Sequence, residues 1–165
     1  MGKKMHNNRL KGTDILQDIQ AKIPSALQAL MELSHQEDGL SVVPLQAVQQ
    51  TAARFGLSHR QVELIAVENR LLPWRHSRNM GTIGWQGLAK LMRSTVGVVG
   101  LGGLGGYVVE GLARMGVGHL ILIDGDVFVE HNLNRQLLSH EANLGQSKAE
   151  SARERVAAVN SAVEV

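Results

Sequence analysis

Apolar residues recur along this chain with two different periods. From Thr13, a helix-capping residue type, Ile15, Leu16, Ile19 and Ile23 mark one helical face. Pro24 interrupts it, and Leu27, Leu30, Met31 and Leu33 resume it, which predicts a second or kinked helix. Gly39 to Pro44 reads as a connection. Leu45, Val48, Ala52 and Phe55 form the next stripe, closed by Gly56. Ser58 then caps a helix carrying Val62, Ile65, Ala66 and Leu71, which stops before Pro73.

Beyond Pro73 the pattern changes. Trp74 to Arg93 is a joint whose first part is made irregular by Gly81, Gly84 and Gly87. Trp85, Leu88, Leu91 and Met92 then suggest a short helix, and Trp74 and Trp85 read as packing residues. The short apolar run Val96, Val98, Val99 opens directly into Gly100-Leu101-Gly102-Gly103-Leu104-Gly105. Val109, Leu112, Ala113 and Met115 follow at helical spacing up to Gly116, and Leu120 to Ile123 form a second apolar run that ends on Asp124. Strand, glycine turn, helix, strand, acid is the order of a βαβ nucleotide-binding unit. The first glycine permits the tight turn, the second a close approach of backbone to phosphate, and the third close packing of helix on strand. An acid at the tip of the second strand can hold a ribose. The new helix presents unpaired N–H groups to the anion.

After Asp124 comes a polar stretch, then a helix over Gly145 to Asn160 with Ala149, Ala152, Val156 and Val159 inward. Val163 to Val165 reads as the opening of a third strand. Lys148 lies in the first turn of that helix, where a cation opposes the helix dipole, a misfit that an anion at the same place would remove. The fold class is therefore α/β: a Rossmann-like βαβ unit with an incomplete sheet, preceded by a small all-α module. The expected division is a disordered tail over 1–12, a helical module over 13–73 and the nucleotide-binding unit over 74–165.

Composition narrows the function. Hydrophobic residues are 44% and charged residues 19% of 165, as in a packed globular protein. A net charge of +2 does not argue for nucleic acid or an anionic membrane as partner. The absence of cysteine rules out disulfides, Cys-ligated zinc and a thiol nucleophile in this chain. No signal peptide or spanning run is present, so the cytoplasm is the expected compartment. One alternative lies in the helical half. Ala52, Gly56 and Val62 match helix-turn-helix spacing, which would turn Ser58, His59, Arg60 and Gln61 toward a major groove. Glu63 and Glu68 on the same helix speak against a phosphate-binding face, and a docking or dimerisation module is the plainer reading.

The strings VGVVGLGGLGG, GVGHLILIDGDVFVEHNLNRQLL and LGQSKAESARERVAAVNSAVEV, above all N-L-N-R-Q followed by G-x-x-K, resemble the first half of the adenylylating domain of the ThiF/MoeB/HesA family, bacterial relatives of ubiquitin-activating enzymes. The resemblance covers about residues 74 to 165. It implies that the C-terminal carboxylate of a ubiquitin-like sulfur-carrier protein ending in Gly-Gly attacks the α-phosphate of ATP, releasing pyrophosphate, in thiamine or molybdopterin sulfur chemistry. By position, Gly100, Gly102, Gly103 and Gly105 form the nucleotide turn and Asp124 holds the ribose, while Asn132, Arg135 and Lys148 surround the phosphates. Asp126 assists magnesium or shapes the loop, with loop shaping preferred. Arg78 matches an arginine that reaches the partner's site in a homodimer, so the implied catalytic set is Arg135, Lys148 and Arg78. His131 stands where the family usually has serine and His76 where it usually has tyrosine; neither has a metal-ligand spacing, and no metal site is expected here. The family's magnesium-binding aspartate lies on a later strand, beyond Val165, as do its zinc cysteines. The sequence is thus expected to represent the N-terminal portion of such a domain. The alternatives are a non-catalytic nucleotide- or partner-binding fragment and an NAD-dependent Rossmann protein.

Overall fold

A computed structural model describes residues 12–165, with side chains from Asp14 onward. The expected tail lies outside the described residues except for Gly12, where α1 begins. Helix α1 runs unbroken over Gly12–Leu33 with Pro24 inside it, so Thr13 is a helical residue and not the cap. Pro24 is exposed on the outer face, and Ile19, Ile23, Ala26, Leu27 and Leu30 pack inward on either side of it. Tertiary packing thus carries the helix past one missing backbone donor. Ile15, Leu16, Met31 and Leu33, expected inside, are exposed.

The stretch expected to be a connection is half of a hairpin. Strand β1 (His35–Glu37) pairs antiparallel with β2 (Leu40–Val43), and the two central turn residues, Asp38 and Gly39, both take positive φ (50° and 76°). Asp-Gly with this geometry matches the strand twist of a two-residue hairpin. Helix α2 (Leu45–Phe55) ends at left-handed Gly56, and α3 (His59–Glu68) starts on Ser58. The Ser58 hydroxyl accepts from the Gln61 N–H at 3.2 Å, while the Gln61 side chain accepts from the Ser58 N–H at 2.7 Å. Val48, Ala52, Val62, Ile65 and Ala66 close the first core against α1. Strand β3 (Leu72–Pro73) runs parallel beside β2.

A 3-10 turn, Trp74–Asn79, leads into α4 (Met80–Arg93), whose single irregularity is at Gly84. Leu88 and Met92 of α4 pack with Val42, Val67 and Leu72, so the joint is packed and has a buried cluster of its own. Trp74, expected to be a packing residue, is 46% exposed and meets His35 edge-on. The nucleotide-binding order then appears as read: β4 (Thr95–Val99), α5 (Gly105–Met115) and β5 (His119–Ile123), the strands parallel and in register. Helix α6 spans Lys148–Val159, shorter than expected because Ser147 caps it. The third strand is reduced to one parallel bridge from His119 to Glu164. Val98, Val109, Ala113, Leu120, Phe128, Ala152 and Val156 fill the second core between the sheet and α5 and α6, whereas Val99, Ile121 and Ile123 are exposed on the other face.

The face of α3 that could have read DNA is occupied. Arg60 donates to the Met92 carbonyl at 3.1 Å and pairs with Glu164 at 2.7 Å, and His59 meets the Ser161 hydroxyl at 2.9 Å. Glu63, expected at the surface, is 1% exposed and lies 3.2 Å from Arg75 and 3.5 Å from the fully buried His76. Arg75 also donates to Asn160, whose amide in turn donates to the Ala113 carbonyl at 3.0 Å.

Removing one partner from a buried charge cluster leaves the others uncompensated. Glu63→Ala is expected to cost about 3 kcal/mol and to lower the thermal midpoint by several degrees. Glu68→Ala, which removes an exposed partner of Arg93 on the same helix, should change stability by no more than about 0.5 kcal/mol. Thermal unfolding followed by circular dichroism compares the two.

Candidate functional site

The glycine turn is shaped by two positions. Gly100 takes φ +86°, and a Cβ on Gly105 would collide with the Gly100 carbonyl, so the helix can start this close to β4 only without a side chain there. The Gly100 N–H donates to Ile123 O at 2.8 Å, tying the turn to the end of β5. Gly102 and Gly103 face the segment that carries Arg135 and Gln136: the Gln136 amide lies 3.7 Å from the position of a Cβ on Gly102, and the Arg135 carbonyl 4.0 Å from one on Gly103.

Asp124 closes this arrangement from the other strand. One of its carboxylate oxygens accepts from Leu101 N–H at 2.6 Å and the other from Asp126 N–H at 2.8 Å. Partial burial pushes its carboxyl up, but those two donors and the nearby Lys148 charge outweigh it, so Asp124 titrates below the ordinary carboxylate value. The acid expected at the ribose thus also holds the glycine turn and the following loop.

That loop is laced onto the start of α6. Phe128, fully buried, donates its N–H to Gln146 O at 3.0 Å and accepts from Gly145 N–H at 2.8 Å, and Lys148 N–H donates to Asp126 O at 3.0 Å. Lys148 is buried, and its ammonium lies 3.0 Å from the Asp126 carboxylate, which is itself 75% exposed. The anion that the misplaced lysine calls for is supplied within the chain by Asp126, the residue read as a loop-shaper.

Asn132 is buried, and its side chain accepts from the Val129 N–H at 3.1 Å and meets His131 at 3.2 Å. Arg135 is exposed and folds back onto the His131 carbonyl at 2.5 Å and the Asn134 side chain at 3.0 Å. Gln136, not singled out from sequence, is 7% exposed, and its side-chain oxygen has no hydrogen-bond partner. Its place as the last residue of the N-L-N-R-Q string, directly after Arg135, was the available signal. The structure therefore gathers the glycine turn, Asp124, Asp126, Lys148 and the backbone of Arg135 and Gln136. Arg78 is elsewhere, exposed in a cleft of about 310 Å³ lined by Glu37, Asp38, Leu40, Trp74 and Ser77. Among the described residues no three His, Asp or Glu side chains gather to hold a metal ion, and no helix is long and apolar enough to cross a membrane.

The model of the ThiF family matches residues 76–165. The tRNA threonylcarbamoyladenosine dehydratase of Bacillus subtilis (strain 168) is 44% identical over 89 residues, 54% of this chain and 35% of that protein. The adenylyltransferase and sulfurtransferase MOCS3-1 of Zea mays is 42% identical over 94 residues, 56% of this chain and 20% of that protein. Among solved structures, E. coli MccB with ATP superposes with a TM-score of 0.52 at 28% identity, over 72% of this chain and 40% of that one. The chain spans about a third or less of the length of these two sequence relatives.

The turn geometry separates two glycines of one helix. Gly105→Ala is expected to cost about 3 kcal/mol, because the obstacle is backbone and cannot rotate away. Gly111→Ala, with open space around it, should be neutral or stabilising by up to about 1 kcal/mol. Asp124 adds a pH dependence. Its lowered carboxyl contributes stability above the unfolded value of about 4, and that contribution is lost as pH falls through the folded value. Asp124→Asn should therefore flatten the acid limb of a plot of unfolding free energy against pH.

Proposed function

The chain belongs to the ThiF family over residues 76–165, and from that premise we propose that it supplies the nucleotide-binding part of an ATP-dependent adenylyltransferase that activates a terminal carboxylate. The observation that carries the reading is the convergence of a glycine turn, an acid at the tip of β5 and a buried lysine at the start of α6 on one loop.

The chemistry follows from that convergence. A carboxylate oxygen attacks the α-phosphate, the bond to the bridging oxygen breaks, an acyl-adenylate forms and pyrophosphate leaves. Such a displacement leaves little covalent work to side chains, so positioned cations and backbone N–H groups stabilise the charge on the phosphates. In this reading the N–H groups at the start of α5 and the Lys148 ammonium face the phosphates, and Arg135 swings from its local acceptors to join them. Asn132 braces the loop that carries Arg135. Asp124 accepts from the ribose with the lone pairs its two backbone donors leave unused. The Gln136 oxygen, buried beside Gly102 without a donor, is a place for a nucleotide group to bind. ATP fits these residues. Magnesium finds no three-residue cage among the described residues, and no step is assigned to it; its main ligand is proposed to lie beyond Val165.

The substrate we favour is the C-terminal carboxylate of a polypeptide, in the form of a ubiquitin-like sulfur carrier ending in Gly-Gly, acting in thiamine or molybdopterin sulfur transfer. MOCS3-1, an adenylyltransferase and sulfurtransferase by name, and E. coli MccB, solved with MccA as well as with ATP, support it. We also propose that residues 13–73, which are not all-α as expected but carry a small three-stranded sheet beside their helices, form a docking module, that the protein works as a homodimer in the cytoplasm, and that Arg78 reaches the partner's nucleotide. A second reading, a carboxylate on a tRNA nucleoside, is favoured by the name of the Bacillus subtilis relative; against it, the groove-reading face of α3 is covered by Glu164 and Ser161.

ATP–pyrophosphate exchange tests the assignment. Exchange should depend on a Gly-Gly-ending carrier and fall at least about 100-fold in Arg135→Ala and in Lys148→Ala. Exchange driven by tRNA instead selects the second reading. Nucleotide affinity without exchange selects a binding module, and tighter binding of NAD than of ATP, indifferent to Arg135, selects an NAD protein.

A further inference from the structure

Asp126 and Lys148 are held together twice, through the Lys148 N–H on the Asp126 carbonyl and through their side chains, each at 3.0 Å. The two ends of the pair differ in freedom. Lys148 has 8% of its side chain exposed and begins a helix, where its charge is least welcome, so its ammonium needs a negative partner. Asp126 has 75% of its side chain exposed, so its carboxylate can turn into water at little cost. Asp124 adds its charge nearby, but its carboxylate is held in place by the Leu101 and Asp126 N–H groups, whereas Asp126 makes the direct contact with the ammonium. Arg135, the other proposed phosphate-binding cation, rests on neutral oxygens.

We propose that Asp126 is an internal counter-ion that occupies the Lys148 ammonium until a nucleotide phosphate displaces it. Asp126 is then a positioning residue: it fixes where the ammonium waits and lowers the affinity for polyphosphate by competing for Lys148. Binding exchanges one anion for another at a site that never holds an unpaired buried cation. The inference rests on the nucleotide reading above and assigns Asp126 neither to magnesium nor to the ribose.

Calorimetric titration of the full chain with ATP and with adenosine, in EDTA and in magnesium, tests it. Asp126→Asn should lower the ATP dissociation constant by roughly three- to tenfold, leave adenosine unchanged, and have no effect in a Lys148→Ala background. Asp126→Glu, which keeps the charge, should bind ATP as the parent does; this guards against a folding defect in the amide variant. An unchanged or raised ATP constant in Asp126→Asn overturns the proposal. So does a gain that survives in Lys148→Ala, which leaves only general repulsion, and so does a loss seen only with magnesium, which makes Asp126 a metal ligand. If the parent chain binds adenosine and ATP equally, or neither, the phosphate-site reading itself is lost, an outcome distinct from those.

Discussion

The nucleotide-binding half depends on one carboxylate with two backbone donors. Asp124 stands at the end of β5 and accepts from Leu101 in the glycine turn and from Asp126 in the next loop, so a single side chain fixes both walls of the candidate site. Charge-assisted bonds to N–H groups are stronger than neutral ones, and here they also satisfy a donor that the turn leaves without a helical partner. Once Asp126 is fixed, its carbonyl sets the first residue of α6 and its side chain sets the lysine. Position passes from strand to acid to loop to cation.

A second constraint joins the two halves. A buried carboxylate at the seam, Glu63 beside Arg75 and the ring of His76, ties α3 to the 3-10 turn, and that ring lies against the left-handed Gly116 at the end of α5, where a Cβ would come within 2.6 Å of it. Such a contact contributes little net stability compared with apolar packing, but it is intolerant of misalignment, since loss of Arg75 leaves the buried carboxylate without its cation. The seam thus selects one docking of the helices on the nucleotide unit and uses the polar N-terminus of α3 to do so.

The βαβ core was legible because its signals are local: glycine spacing, short apolar runs, and an acid at a strand tip. The α2–α3 pair was legible through Gly56 and the Ser58 cap. What escaped was decided by residues far apart in sequence. Glu63 reads as a surface acid until the fold brings Arg75 and His76 to it. Pro24 reads as a break because helix propensity, not the packing of Ile23 and Ala26, is what sequence displays. The hairpin at Asp38-Gly39 was missed although its turn pair was in view, because β1 is three polar residues and β2 only four residues long, too short to display a period. Lys148 falls between: its awkward place on the helix dipole announced an anion, but only the lacing of Phe128 to Gln146 shows that Asp126 provides one.

Helix α6 begins at Lys148, beside the glycine turn, and its C-cap is Asn160, gripped by Arg75 and by the Ala113 carbonyl. Twelve residues make a rod about 18 Å long. Being regular and packed along one side, it has no internal slack, so its two ends move together. The seam and the ammonium are therefore the two ends of one strut, and a tilt of α6 at Asn160 would carry the Lys148 charge with it.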